Sequence, residues 1–114
     1  MTTDATFEHI ITAAFMAATL AIKAKGPEDL NAFDCGFAWV TIPGNEPFAR
    51  YCRKRAQATS LKRYGAKHWE RGWMWWGPGE FNGQAIGHKQ AGANAFCKVL
   101  QEHGILASVG SRYD

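Results

Sequence analysis

One stretch of sequence decides how this chain folds: Gly72-Trp73-Met74-Trp75-Trp76-Gly77-Pro78-Gly79-Glu80-Phe81-Asn82-Gly83-Gln84-Ala85-Ile86-Gly87. Its first five residues are rich in bulky aromatic side chains, which is typical of a β-strand. The glycines that follow predict a loop, and a helical pattern begins near His88. Together these features predict a strand, a loop with exposed backbone and a helix N-terminus in direct succession.

The N-terminal segment, residues 4–25, predicts a long helix, because apolar residues recur there at helical spacing. Its other side is hardly polar either, and a helix that is apolar nearly all round is covered on more than one side. We therefore expect a homo-oligomer whose subunit interface runs through this helix. The alternative is an alanine-rich helix that lies only on the core of its own domain.

The remainder of the chain, residues 35–114, predicts the body of a single domain that spans 1–114. Its first strand is apolar on both faces and should therefore be central in its sheet. With the N-terminal helix, the order is α-β-α-β-α-β, an α+β fold with about three strands and about three helices over at least one face of the sheet. The predicted elements of the body are a strand at 36–42, a helix at 47–58, a strand at 72–76, a helix at 88–103 and a strand at 105–109.

The composition is that of a soluble globular protein, since 46% of the residues are hydrophobic and 20% are charged. The three cysteines are odd in number and form no C-x-x-C pair, which favours reduced thiols in a cytoplasmic protein. The apolar run at 10–22 is shorter than the roughly 20 residues that a bilayer requires, and acidic residues precede it. We expect a cytoplasmic protein without a membrane segment.

The net charge is only +3, but the basic residues are concentrated in one segment. Eight of the thirteen lie within residues 50–71, against a single acidic residue. Such a segment is a candidate surface for an anion or a nucleic acid, and the alternative is a solvated helix face. Its basic residues are Arg50, Arg53, Lys54, Arg55, Lys62, Arg63, Lys67 and Arg71.

Tryptophan side chains are the first candidate for a ligand surface. Trp73 and Trp75 share a face of the predicted strand, and with Trp39 they offer flat rings on which a purine or another planar group can stack. The alternative is that the tryptophans fill the core beneath the helices. Because side chains alternate along a strand, three tryptophans within four residues cannot all point inward. We therefore expect an aromatic surface or an interface on at least one face.

The glycine loop and the start of the next helix are the second candidate. Backbone amides between Gly83 and Gly87, helped by the helix dipole, can bind an anion, and His88 and Lys89 can add charge there. The loop matches neither the Walker A motif nor G-x-G-x-x-G. The alternative is a long turn in which glycine only relieves backbone strain.

Three further polar residues are candidates for ligand contacts. Asn94 lies among small residues of the last predicted helix, either on the surface or at the wall of a pocket. Arg112 and Asp114 follow the last strand, where a guanidinium can bind a phosphate or a carboxylate; the alternative is a disordered end. No catalytic triad, zinc motif or paired-cysteine pattern stands out. We predict no catalytic residue, no metal and no cofactor.

Most of the chain from residue 35 onward carries a distinctive pattern: Cys35-Gly36-Phe37-Ala38-Trp39-Val40, Pro43-Gly44-Asn45, Ala93-Asn94-Ala95-Phe96, Gly104-Ile105 and Gly110-Ser111-Arg112-Tyr113-Asp114. The pattern resembles a group of small accessory proteins encoded by tailed bacteriophages. The resemblance implies a viral protein in the cytoplasm of its bacterial host and favours an anti-defence role. The Thoeris anti-defence proteins, oligomers that sequester nucleotide signals, are similar in size and style.

Three functions remain open at this point. The leading one is a non-enzymatic oligomer that binds and sequesters a nucleotide-like or other planar anionic small molecule, with tryptophans stacking on its ring and loop amides and basic groups holding its charge. The second is binding of nucleic acid by the 50–71 segment with its interleaved aromatic residues. The third is inhibition of a host enzyme through an aromatic protein-interaction surface.

Overall fold

The computed structural model describes residues 3–29 and 33–114. The elements within them are α1 (Asp4–Ala24), β1 (Gly36–Ile42), α2 (Pro47–Thr59), β2 (Ala66–Lys67), β3 (Trp73–Trp76), α3 (Ile86–Glu102) and β4 (Ser108–Tyr113). A short 3₁₀ turn, Lys62–Tyr64, precedes β2. The predicted α+β class is confirmed. The additional strand, β2, has only two residues, which is too few to show an alternating pattern in the sequence.

The last strand begins later than the sequence predicts. Residues 105–107 lie outside β4, because the Ile105 amide donates to the Leu100 carbonyl (3.1 Å) and closes the end of α3. Gly104, at φ 75°, makes the left-handed turn that this capping requires. The Ile105 side chain is then buried in the core rather than placed in the sheet.

The four strands form one antiparallel sheet in the order β2-β3-β1-β4. β1 lies between β3 and β4, which confirms its predicted central position. The register of β1 and β3 places Val40 opposite Trp75, and Trp39 opposite Trp76. Since side chains alternate along a strand, the first pair points to one face of the sheet and the second pair to the other.

The core lies between one face of the sheet and the helices. α3 packs across β1 and β4, and α1 packs alongside α3. The ring of Trp75 contacts those of Phe48 (centres 5.8 Å apart) and Phe96 (5.3 Å), and both phenylalanines are buried. The opposite face of the sheet is open, and Trp76 on that face is 45% exposed.

α1 is long and apolar enough to cross a membrane by length and composition alone. In the structure its buried residues, among them Ile11 and Ala18, pack into the core. Met16 and Leu20 on its other side are more than 60% exposed. The subunit interface through this helix stays a prediction.

Gly92 of α3 lies in tight contact with Ile22 of α1 and with Pro78. A Cβ atom at this position would lie 2.7 Å from the Pro78 carbonyl oxygen and 2.8 Å from Ile22 Cδ1. Gly92→Ala should therefore lower the free energy of unfolding by about 1–3 kcal/mol, although alanine is intrinsically the better helix former by about 1 kcal/mol. Urea unfolding measures the change, with Asn94→Ala at an exposed position of α3 as the control. Unchanged or increased stability would contradict this close packing.

The Glu8 carboxylate joins α1 to α2 and to the 3₁₀ turn. It accepts hydrogen bonds from the hydroxyls of Tyr51 and Tyr64 and forms an ion pair with Arg63 (3.1 Å). Burial acts to raise the pKa of Glu8, but the two phenolic hydrogen bonds and the nearby charges of Arg63 and Arg55 outweigh it. The pKa is therefore held below its ordinary value of 4.5.

The lowered pKa of Glu8 makes the stability of the fold depend on pH. The ionised Glu8 carboxylate contributes its full stabilisation above about pH 4.5, the ordinary pKa of a glutamate. This stabilisation is lost as the pH falls through the lower pKa that Glu8 has in the folded state. Glu8→Gln should cost about 1–2 kcal/mol at pH 7, and the difference from the wild type should narrow as the pH falls below 4.5. Urea unfolding at a series of pH values measures this. A constant difference between pH 7 and pH 3 would show that the carboxylate charge contributes nothing.

Candidate functional site

The open face of the sheet carries a cluster of aromatic side chains, which we call the aromatic face: Phe37, Trp39, Trp69 and Trp76. Trp39 and Trp76 are direct cross-strand neighbours, and their rings are stacked with centres 5.3 Å apart and planes 3° apart. Phe37 lies 5.3 Å from Trp76, and Trp69, in the loop between β2 and β3, meets Trp39 edge-on at 5.1 Å. Trp69 is 55% exposed, so the cluster presents aromatic surface to solvent.

The neighbouring strand β4 leaves room for this cluster by carrying Gly110 opposite Trp39. A Cβ atom at Gly110 would lie 2.4 Å from atoms of the Trp39 indole. The indole therefore lies flat across β4, and a larger residue at 110 would displace it.

Two cationic side chains lie over the aromatic face. The Lys89 amine is 4.9 Å from the centre of the Phe37 ring, and the Arg112 guanidinium is 5.7 Å from the same centre. Lys89 also donates to the Gly36 carbonyl (2.8 Å), which fixes its position at the beginning of β1. A cation held over an aromatic ring is a favourable arrangement, and both groups keep donors that an anion can use.

Two depressions adjoin the aromatic face and share Trp76 as a wall. The first is a shallow depression of about 420 Å³ lined by Trp69, Met74, Trp76 and Arg112. The second is a cleft of about 230 Å³ between the aromatic face and the glycine loop, with Lys89 on its wall. No carboxylate is among the described residues that line either of them. The remaining residues of the cleft are Ile22, Phe37, Ala38, Gly77, Pro78, Phe81, Asn82 and Gly83.

The prediction that Trp73 and Trp75 present open ring faces is wrong. They are only 6% and 2% exposed, because the register of β3 against β1 turns both toward the helices. Their indole N–H groups donate to the carbonyls of Tyr64 (2.6 Å) and Arg63 (2.9 Å).

The structure places only Trp39 of the three predicted tryptophans on the aromatic face. Its partner Trp76 was missed, although its position, one residue after Trp75, puts it on the opposite face of the same strand.

The prediction of open anion-binding amides at the start of α3 is also wrong for most of the loop. One carboxylate oxygen of Glu28 accepts from the amides of Gln84 (2.6 Å) and Ala85 (2.7 Å). The Ile86 amide donates to the Asp34 carbonyl (2.8 Å). At Gly83, a Cβ atom would collide with the Glu28 carboxylate. The N-terminus of α3 does bind an anion, as helix N-termini generally do, but that anion is the Glu28 carboxylate of the same chain.

The other predicted site residues divide between structural and open positions. His88 is buried, donates to the Gly26 carbonyl (2.6 Å) and stacks on Phe81 with ring centres 5.0 Å apart, so its ring serves packing. Asn94 and Asp114 are exposed and line none of the depressions described here. Gly87 lies in the first turn of α3, close to the Lys25 side chain.

The basic segment 50–71 does not form one free surface. Arg63 is engaged with Glu8, Arg53 donates to the Gly44 carbonyl (2.9 Å), and Arg55 lies over the Tyr64 ring. The other five basic residues are exposed but are distributed over α2, the 3₁₀ turn, β2 and the loop after it: Arg50, Lys54, Lys62, Lys67 and Arg71.

A larger groove of about 990 Å³ lies between the outer side of α1 and the β2–β3 edge of the sheet. Met16 and Leu20 form part of one wall, and Lys23, Lys62 and Glu80 are among its charged residues. Apart from Trp75, none of the predicted ligand residues lines it. We therefore place the candidate site at the aromatic face, where Trp39, Lys89 and Arg112 come together.

The cysteines and the other metal-ligating side chains do not gather into a metal-binding group within the described part of the chain. No group of three or more His, Cys, Asp and Glu residues there is arranged to hold a metal ion. All three cysteines are free. Burial raises the pKa of the Cys52 thiol to about 12 and also raises that of Cys97, so both stay protonated and unreactive at neutral pH.

Fold and site together define an α+β domain with helices on one face of an antiparallel sheet and a cationic aromatic surface on the other. No protein-family model, no curated protein and no solved structure matches this chain. With no relative to indicate a role, only the chemistry of the site bears on function.

A substitution of Glu28 tests whether its carboxylate occupies an anion-binding site formed by the loop amides before α3. Glu28→Ala should lower the free energy of unfolding by about 1–3 kcal/mol, because the amides of Gln84 and Ala85 lose their acceptor. Millimolar sulfate or phosphate should restore part of this loss, since a helix N-terminus binds anions. The control is Glu46→Ala, because Glu46 precedes α2 without a capping hydrogen bond from its side chain. If sulfate stabilised both variants equally, the anion would not be acting at this loop.

Proposed function

We propose that this protein binds a nucleotide-like ligand, with a planar ring and a negative charge, on the aromatic face. The observation that carries the proposal is the placement of Lys89 and Arg112 over an exposed aromatic cluster, beside two depressions whose described lining residues include no carboxylate. Aromatic rings receive a flat group, and the two cations receive its charge. The rings alone would not select a charged ligand, and the cations alone would not select a planar one.

The ring of the ligand stacks on the exposed part of the cluster. Trp76 and Trp69 expose about half of their surface, whereas a tryptophan that serves only packing is largely buried. Stacking of one base on an aromatic side chain contributes about 1–3 kcal/mol and tolerates any base, because every base has a π face.

The charge of the ligand is held by the two basic side chains. The planar guanidinium of Arg112 offers several N–H donors in a fixed geometry that matches a phosphate. The Lys89 amine, already positioned by the Gly36 carbonyl, adds a second positive charge at the entrance of the cleft. The role we propose is binding without turnover. In a phage protein acting in the host cytoplasm, such binding would withhold a nucleotide signal from the host's defence.

Two substitutions on the aromatic face test the proposal. Trp76→Ala and Arg112→Ala should each weaken nucleotide binding by roughly tenfold or more, the loss expected for one base stack or one charge-assisted contact. Lys98→Ala removes an exposed cation of α3 away from the depressions and should leave binding unchanged. Thermal shift and tryptophan quenching with a panel of mono- and dinucleotides measure binding, and circular dichroism checks that each variant folds.

Two outcomes would end the proposal. The first is the absence of any response to the panel by the folded wild-type protein. The second is a loss of affinity on Lys98→Ala as large as that on Arg112→Ala, because the charge would then act without regard to its position on the aromatic face.

A further inference from the structure

We infer that the natural ligand of the aromatic face is a single-stranded nucleic acid of several nucleotides. The inference rests on the proposed function and narrows its ligand class. It differs from binding by the whole 50–71 segment, because its main cations, Lys89 and Arg112, lie outside that segment, and only Trp69 and Arg71 of the segment take part. The shape, the spacing and the charge of the surface each support it.

The shape of the surface favours a strand over a free nucleotide. A site that holds a small molecule usually encloses 70–90% of its surface in a pocket of about 300–1,000 Å³. The cleft beside Lys89, at about 230 Å³, is below that range, and the depression beside Arg112, at about 420 Å³, is open to solvent with only four described residues in its lining, so it would not enclose a small molecule. The cleft therefore accommodates one unit of a ligand whose remainder continues over the open face of the sheet.

The aromatic rings form one continuous cluster rather than a single isolated ring. Phe37 contacts Trp76, Trp76 stacks on Trp39, and Trp69 meets both Trp39 and Trp76 edge-on. Trp76 lines both the cleft and the depression, so the two positions for a ring are adjacent. Adjacent stacking positions on one surface suit successive bases of a strand.

Each of the two depressions has one cation in its wall, and both cations also lie over the ring of Phe37. Lys89 lies at the cleft, Arg112 lies at the depression, and the exposed Arg71 belongs to the same loop as Trp69. A strand carries one phosphate for each base, so a cation beside each ring position matches its repeating chemistry. A duplex does not, because its bases are stacked inside and cannot reach the rings.

The salt dependence of binding has an expected size. Each phosphate neutralised on a single strand contributes about −0.7 to the slope of log K against log salt concentration. With two or three contacts the slope should be roughly −1.4 to −2, and Arg112→Ala should make it shallower by about 0.7.

The experiment compares strand lengths on the intact protein. Fluorescence anisotropy with labelled thymidine monophosphate, with single-stranded oligothymidylates of three, six and twelve nucleotides, and with a duplex of mixed sequence gives the affinities. We expect affinity to increase at least tenfold from the monophosphate to the hexamer, and the duplex to bind at least tenfold more weakly than a single strand of the same length.

Variants locate the strand on the protein. Arg112→Ala and Trp76→Ala should weaken hexamer binding at least tenfold, whereas Lys54→Ala and Lys62→Ala, cations of the basic segment, should change it less than twofold. Trp76→Phe, which retains an aromatic ring, should recover part of the loss and so separate stacking from a folding defect.

The possible results distinguish this inference from the proposed function. A monophosphate that binds as tightly as the hexamer would overturn the inference and leave the proposed function standing. A complete lack of binding by every probe would overturn both. Equal affinity for duplex and single strand, or a larger loss of affinity on Lys54→Ala than on Arg112→Ala, would show that binding depends only on general positive charge. Either result would overturn the inference.

Discussion

The pairing of β1 with β3 is the constraint on which the rest of the structure depends. Its register sets Val40 against Trp75 and Trp39 against Trp76. A shift of one residue would exchange the faces, placing Trp76 in the core and two tryptophans in solvent. The observed register buries two of the three clustered tryptophans against the helices and leaves one on the aromatic face, so one strand serves both the core and the surface.

The fold also determines which charges remain available to a ligand. The helix N-terminus and glycine loop before α3 form an anion site, and Glu28 occupies it because a carboxylate of the same chain is always present at high effective concentration. Arg63 is likewise paired with Glu8. By contrast, Lys89 and Arg112 both lie over the ring of Phe37, and Lys89 also donates to the Gly36 carbonyl, which places two positive charges over the aromatic face.

The distribution of these groups gives the two sides of the sheet different roles. The helix side is closed by aromatic contacts and by indole hydrogen bonds to backbone carbonyls, and it supplies stability. The open side exposes large aromatic surface together with cations, and no carboxylate is among the described residues that line its two depressions. A surface of this kind in a small domain is typical of a binding site, and its chemistry matches stacked rings and phosphates.

The sequence by itself determined the types and order of the main elements, the central place of β1, and the requirement that a cluster of tryptophans on one strand must face both ways. Periodicity and alternation are local, so they can be read from neighbouring residues. Only the tertiary structure decided that Trp76 rather than Trp73 or Trp75 faces outward, because the face depends on pairing with a distant strand. It also decided that Glu28, 56 residues before Gln84, fills the loop's anion site. Contacts between residues so far apart arise from packing of the whole chain, and no local pattern encodes them.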